Sequence, residues 1–190
     1  MTARSPRQQS PVRAALALVL STRTAPRVAD VGLLIVRLVL AFLFIYHGAR
    51  RLFGWFNGPG LDRSADYFAH SAHLHPGTFF AVLGGLIEFG GGIALALGLF
   101  SRLAGLAIFG DMMMAIITVT HSNGLNATGG QAGWELNLAL GVLALVPAFF
   151  GSGRFSVDAL LERRLVGEPA RAVAADATRV PRAEPAPDPV

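Results

Sequence analysis

Four apolar blocks, at residues 31–47, 77–100, 103–120 and 134–150, alternate with stretches that are polar, glycine-rich or arginine-rich. The second block, GTFFAVLGGLIEFGGGIALALGLF, is the one the others are organised around. It has no proline and one formal charge, Glu88, near its middle. As a helix it extends about 36 Å, enough to cross a bilayer core of about 30 Å. The residues three and four positions from Glu88 share its helix face. All four are glycines: Gly84, Gly85, Gly91 and Gly92. Such a seam admits another helix at close range. A carboxyl facing lipid at mid-bilayer costs at least about 2.5 kcal/mol, so Glu88 is expected to face a partner helix or a polar cavity.

The first block carries Arg37 and runs into HGARRLFGWFNGPG, where the NGPG run is expected to turn the chain. Trp55 and Phe56 suit an interfacial aromatic belt. The stretch LDRSADYFAHSAHLH (61–75) is amphipathic and predicts a short helix across one mouth of a bundle. The third block follows the second after a very short turn marked by Arg102. It places Asp111 at its centre, with Ala104, Ala107 and Ala115 on the same face. The 121–133 loop has no formal charge apart from a proton on His121. The fourth block has Glu135 and Asn137 at its mouth and Pro147 near its far end. GSGRFSVDALLERRL (151–165) reads as an interfacial helix capped at Ser156.

The pattern predicts an all-α integral membrane four-helix bundle with short interfacial helices, spanning residues 30–160. Residues 1–29 read as an arginine-rich cytoplasmic tail and 161–190 as a disordered carboxyl-terminal tail. Arginines concentrate in the two tails and the 101–102 turn, which places both termini in the cytoplasm of a multi-pass bacterial inner-membrane protein. Arg50, Arg51 and Arg63, in the 47–76 loop, run against that orientation.

Composition agrees with a membrane class. The chain is 53% hydrophobic and 15% charged, with a mean hydropathy of +0.51. It has no cysteine, which excludes disulfides, thiolate metal sites and cysteine nucleophiles. All of its 16 basic residues are arginine, which removes lysine Schiff-base chemistry. The net charge of +4 suits anionic lipid headgroups better than nucleic acid.

Two constellations are candidates for chemistry. Counted from the cytoplasmic ends, Arg37 lies about 9 Å deep, Asp111 about 13 Å and Glu88 about 18 Å, levels that one arginine side chain can bridge. Arg37, Glu88 and Asp111 then form a candidate intramembrane proton or quinone site: one cation, two acids, and a spare carboxyl able to hold a proton. The alternative is a structural ion network that sets helix register. The second constellation is outer. All five histidines (His47, His70, His73, His75 and His121) fall at that end, with Glu135 nearby. The spacing of His70, His73 and His75 suits no single helix face, so solvated loop histidines are the simpler reading and no metal site is assigned. Residues 112–114, three methionines in a row, read as adaptable packing.

Five ordered stretches resemble the DoxX family of small four-span membrane proteins: HGARRLFGWFNGPGL (47–61), LIEFGGGIALALGLFSR (86–102), TVTHSNG (118–124), GWELNLAL (133–140) and GSGRFSVD (151–158). By that resemblance His47, Arg51, Glu88, His121 and Glu135 fall on recurring polar positions. His47, Arg51, His121 and Glu135 therefore make up a candidate outer cofactor-binding cluster. The family pattern usually has lysine where this chain has Arg51, which keeps the charge and changes its geometry. The resemblance implies a link to quinone-coupled sulfur oxidation, quinone detoxification, or a membrane complex with superoxide- and thiol-handling enzymes. The expected role is thus the membrane component of a quinone- or thiol-linked oxidoreductase, with quinone as the ligand and electrons supplied by a partner. A homo-oligomer fits the same outline. The rival readings are a scaffold that recruits soluble redox enzymes through its tails, and a small proton-linked transporter.

Overall fold

The protein is described by a computed structural model that covers residues 26–126 and 133–165. The two predicted tails, but for residues 26–29 and 161–165, and residues 127–132 of the 121–133 loop lie outside the described residues. Among the described residues the chain is helical and contains no strand. Helix α1 spans Pro26–Phe53, α2 Gly60–His70, α3 Gly77–Leu97, α4 Ser101–Ala115, α5 Glu135–Phe150 and α6 Val157–Leu165. Three helical stretches are long and apolar enough to cross a membrane: α1, α3, and α4 with the turns that extend it to Asn123. Helix α5 is apolar and has 16 residues, about 24 Å.

The first helix is longer than the sequence pattern predicts. HGARRLF stays helical because it holds no proline and its Gly48 is packed against the Phe89 backbone, and α1 ends only at Gly54, whose φ of 69° is the left-handed region that glycine enters freely. That added length carries Arg51 on a rigid helix rather than on a loop. Helix α3 ends at Gly98 (φ 67°), where Gly98 N–H donates to the Leu95 carbonyl and Leu99 N–H to the Ala94 carbonyl. These two bonds satisfy carbonyls left over at the helix terminus and reverse the chain within three residues. Helix α4 begins at once. Asp158 accepts the Phe100 and Ser101 N–H groups at 2.9 and 3.2 Å, capping α4 from a distant part of the chain.

The core lies where α1, α3, α4 and α5 meet, at Leu40, Phe44, Leu95, Ile108 and Ala144. The glycine seam acts as the sequence predicts, but each glycine has its own partner. A side chain at Gly92 would press on the Ile45 backbone nitrogen (2.9 Å) and the Ala41 carbonyl (3.1 Å) of α1. One at Gly85 would meet the Leu52 side chain, and one at Gly91 the Ile108 side chain of α4. From α1, Gly48 packs against the Phe89 backbone in return. Helix α4 meets α5 in the same way, with Gly105 against the Ala144 carbonyl. Gly48→Ala is therefore expected to force α1 and α3 apart and to cost about 1–3 kcal/mol, seen as a lower melting temperature in detergent. Gly90→Ala is the control. Its new methyl meets nothing within 4 Å, so the helix is expected to gain about 0.5–1 kcal/mol.

Beyond Ala115 the fourth helix widens into a π turn, Ile116–Thr120. A π turn rotates the faces on either side of it and is common near functional sites. Here Thr118, Val119 and Thr120 all reach one cavity.

Candidate functional site

Glu88 sits halfway along α3, about 16 Å from its start. Three per cent of its surface is exposed. Its Oε1 accepts a bond from Arg51 Nη2 at 3.0 Å. Its Oε2 is buried and has no hydrogen-bond partner among the described residues. One helical turn earlier, Gly84 leaves the space that the Arg51 guanidinium fills; a methyl there would collide with Arg51 Nη1 and lie 3.3 Å from Asp111 Oδ1. The guanidinium thus sits between an acid on α3 and an acid on α4, and its free face lies 5.4 Å over the Phe68 ring of α2. Helix α2 does cross the mouth of the bundle, as its amphipathic sequence predicts.

These groups share a cavity of about 720 Å³, within the range that holds small-molecule ligands. Its polar lining includes His47, Arg51, Glu88, Asp111, Thr120 and Asn137, with Arg63, Ser64, Tyr67 and Thr118 beside them, and the rest is largely apolar. His47 lies one turn before Arg51 on the same face of α1. Adjacent Arg50 faces elsewhere, donating to Tyr46 Oη (3.1 Å) and to the Phe56 carbonyl (2.9 Å), where it pins the turn after α1.

The structure redistributes the residues singled out from sequence. Glu88 and Asp111 do come together, but their cation is Arg51, not Arg37. Arg37 is 1% exposed and donates to the carbonyls of Leu95, Ala96, Ser152 and Phe155, at the opposite end of α3. It clamps the end of α3 to the loop before α6 and has no contact with either acid. Arg37 turns away from the acids because the four carbonyls, two of them at a helix C-terminus where a cation is favoured, lie nearer. His47 and Arg51 of the outer cluster line the cavity. His121 and Glu135 are exposed and do not line it. Asn137, two residues after Glu135, does, and donates to Thr120 Oγ1 at 3.2 Å. A position two residues into a helix faces a different way from its first residue, which is the signal that separates Asn137 from Glu135. Among the described residues no group of three His, Asp or Glu side chains is placed to hold a metal ion.

The DoxX family model matches residues 32–121, which include Arg37, His47, Arg51, Glu88, Asp111 and His121. A relative, the inner membrane protein YqjF of Escherichia coli (strain K12), is 30% identical over 138 residues, covering 73% of this chain and 98% of its own length. The chain belongs to the DoxX family. No solved structure matches it. This DoxX-family chain is a bacterial membrane protein, with apolar helices that associate with the lipid bilayer.

Proposed function

We propose that this DoxX-family protein binds a quinone in the Arg51–Glu88–Asp111 cavity and serves as the membrane component of a quinone- or thiol-linked redox system. The observation that carries the reading is Glu88, which lines a ligand-sized cavity, is paired with Arg51 through Oε1 and holds a second, buried carboxyl oxygen without a partner. Buried polar atoms without partners are rare, and an ionisable group inside a membrane span is by default a functional one. A quinone fits these donors and acceptors. The Arg51 guanidinium donates to a carbonyl oxygen of the ring, and the Glu88 carboxyl exchanges a hydrogen bond with the other edge. Asp111 and Glu88 hold the protons that quinone reduction consumes or quinol oxidation releases. The apolar lining takes the ring faces.

The chain has no cysteine to pass electrons, so a soluble redox enzyme supplies or removes them. In this reading α5 completes a four-helix membrane domain, with both termini and the Arg37 clamp on the cytoplasmic side of the inner membrane.

The test is quinone binding to the detergent-purified protein, wild type beside Glu88→Gln, with equal folding verified. A loss of about tenfold or more in the variant, roughly 1.4 kcal/mol, supports the assignment. Absence of binding by the wild type overturns it and leaves a scaffold for soluble redox enzymes as the better account.

A further inference from the structure

Helices α3 and α4 form a hairpin around the Gly98–Phe100 turn, and the two arms do not stay together. Near the turn they are in contact, with Gly91 and Ile108 side by side. Further from it, at the level of Glu88 and Asp111, the Arg51 guanidinium occupies the space between them. The cavity reaches the surface of both arms there. On α3 its lining includes Leu83, 42% exposed, and on α4 it includes Met114, 39% exposed, together with exposed Ala107 and Gly110. The mouth above is covered by Ser64, Tyr67 and Phe68 of α2. Both arms are long and apolar enough to cross a membrane, so their exposed sides face lipid.

Gly110 lacks a packing reason. A methyl group there meets nothing within 4 Å, and glycine inside a helix is less stable than alanine by about 0.5–1 kcal/mol. What a side chain at 110 would do is stand in the opening beside Asp111.

We infer that the α3–α4 seam is a lateral door to the cavity. The ligand is an amphiphile dissolved in the bilayer, with its polar head at Arg51–Glu88 and its aliphatic tail lying in the seam across Gly110. This rests on the cavity being the ligand site and adds the route and the tail. Glu88, the buried acid without a second partner, gives the head a place to bind. The exposed apolar rim gives the tail a groove continuous with the lipid. Entry from the side also spares the ligand from passing α2.

The experiment measures equilibrium binding, in lipid nanodiscs, of a benzoquinone with a decyl chain and of the same headgroup without it. The proteins are wild type, Gly110→Leu and Gly90→Leu. Leucine favours the helix over glycine at both sites, and neither site has a neighbour within 4 Å of a new Cβ; equal folding of both variants is verified by thermal unfolding before binding is compared. Gly90 does not line the cavity. The expected result is that Gly110→Leu weakens the tailed probe by about tenfold or more and changes the tail-less probe by less than about twofold, while Gly90→Leu alters neither. If wild type binds both probes and Gly110→Leu binds the tailed one unchanged, the door is overturned and the headgroup site stands. An equal loss of both probes also overturns it, because residue 110 then acts on the head. If wild type binds neither probe, the ligand site itself fails and the door with it.

Discussion

Arg37→Leu is expected to lower the stability of the folded protein by about 3–5 kcal/mol, since several charge-assisted hydrogen bonds to backbone carbonyls, each of about 1.5–3 kcal/mol, go at once. The guanidinium serves four carbonyls at once, two at the end of α3 and two in the loop before α6. Leucine fills much of the volume and takes the side-chain donor from all four; the Leu95 carbonyl keeps the Gly98 N–H, while a buried carbonyl that loses its donor costs about 1–3 kcal/mol before relaxation. Arg37→Lys is expected to recover only part of the loss, because one ammonium cannot reproduce a planar fork of donors. Thermal unfolding in detergent measures the effect. The same variants, assayed at a temperature where they remain folded, are expected to bind quinone like the wild type, since Arg37 does not line the cavity. A stable Arg37→Leu protein that has lost quinone binding would return Arg37 to the site and contradict the clamp.

The second large effect belongs to the Arg51–Glu88 pair. Arg51→Met leaves Glu88 buried with neither oxygen bonded, and is expected to destabilise by about 3–5 kcal/mol. The double variant Arg51→Met, Glu88→Met removes both charges. It is expected to be more stable than the Arg51→Met single variant, with a coupling of about 1–3 kcal/mol in a double-mutant cycle. It is also expected to bind no quinone despite its recovered fold. That split separates site from scaffold. A purely structural pair loses stability and binding together and regains both, whereas a ligand site regains only stability. Additive single effects would show that the 3.0 Å contact contributes little.

The helical membrane class and the glycine seam were legible because both depend on local pattern. Apolar runs of the right length allow little else in a bilayer, and glycines three and four residues from Glu88 must share its face. Gly84 shows where that reading stops. Its spacing places it beside Glu88, yet whether it admits a helix backbone or a guanidinium depends on which side chain arrives. The extent of α1 was harder to read, since the charge and the glycine in HGARRLF look like a loop although it holds no proline. The aromatic and histidine-rich stretch after it was readable as a helix over the mouth, but not as the source of the Phe68 ring beneath Arg51.

By itself the sequence determined that this is a helical membrane chain, that Glu88 and Asp111 lie inside it, and that close helix contacts run through glycine. Those follow from the period of the helix and the cost of charge in hydrocarbon, both properties of a single segment. Tertiary structure alone decided which arginine answers the acids. Arg37 and Arg51 lie on one helix and carry the same charge. Their difference comes from what α3 presents at two levels: backbone carbonyls at its terminus and a carboxyl at its centre. The choice depends on distances between segments far apart in the chain, and no period within one segment encodes them.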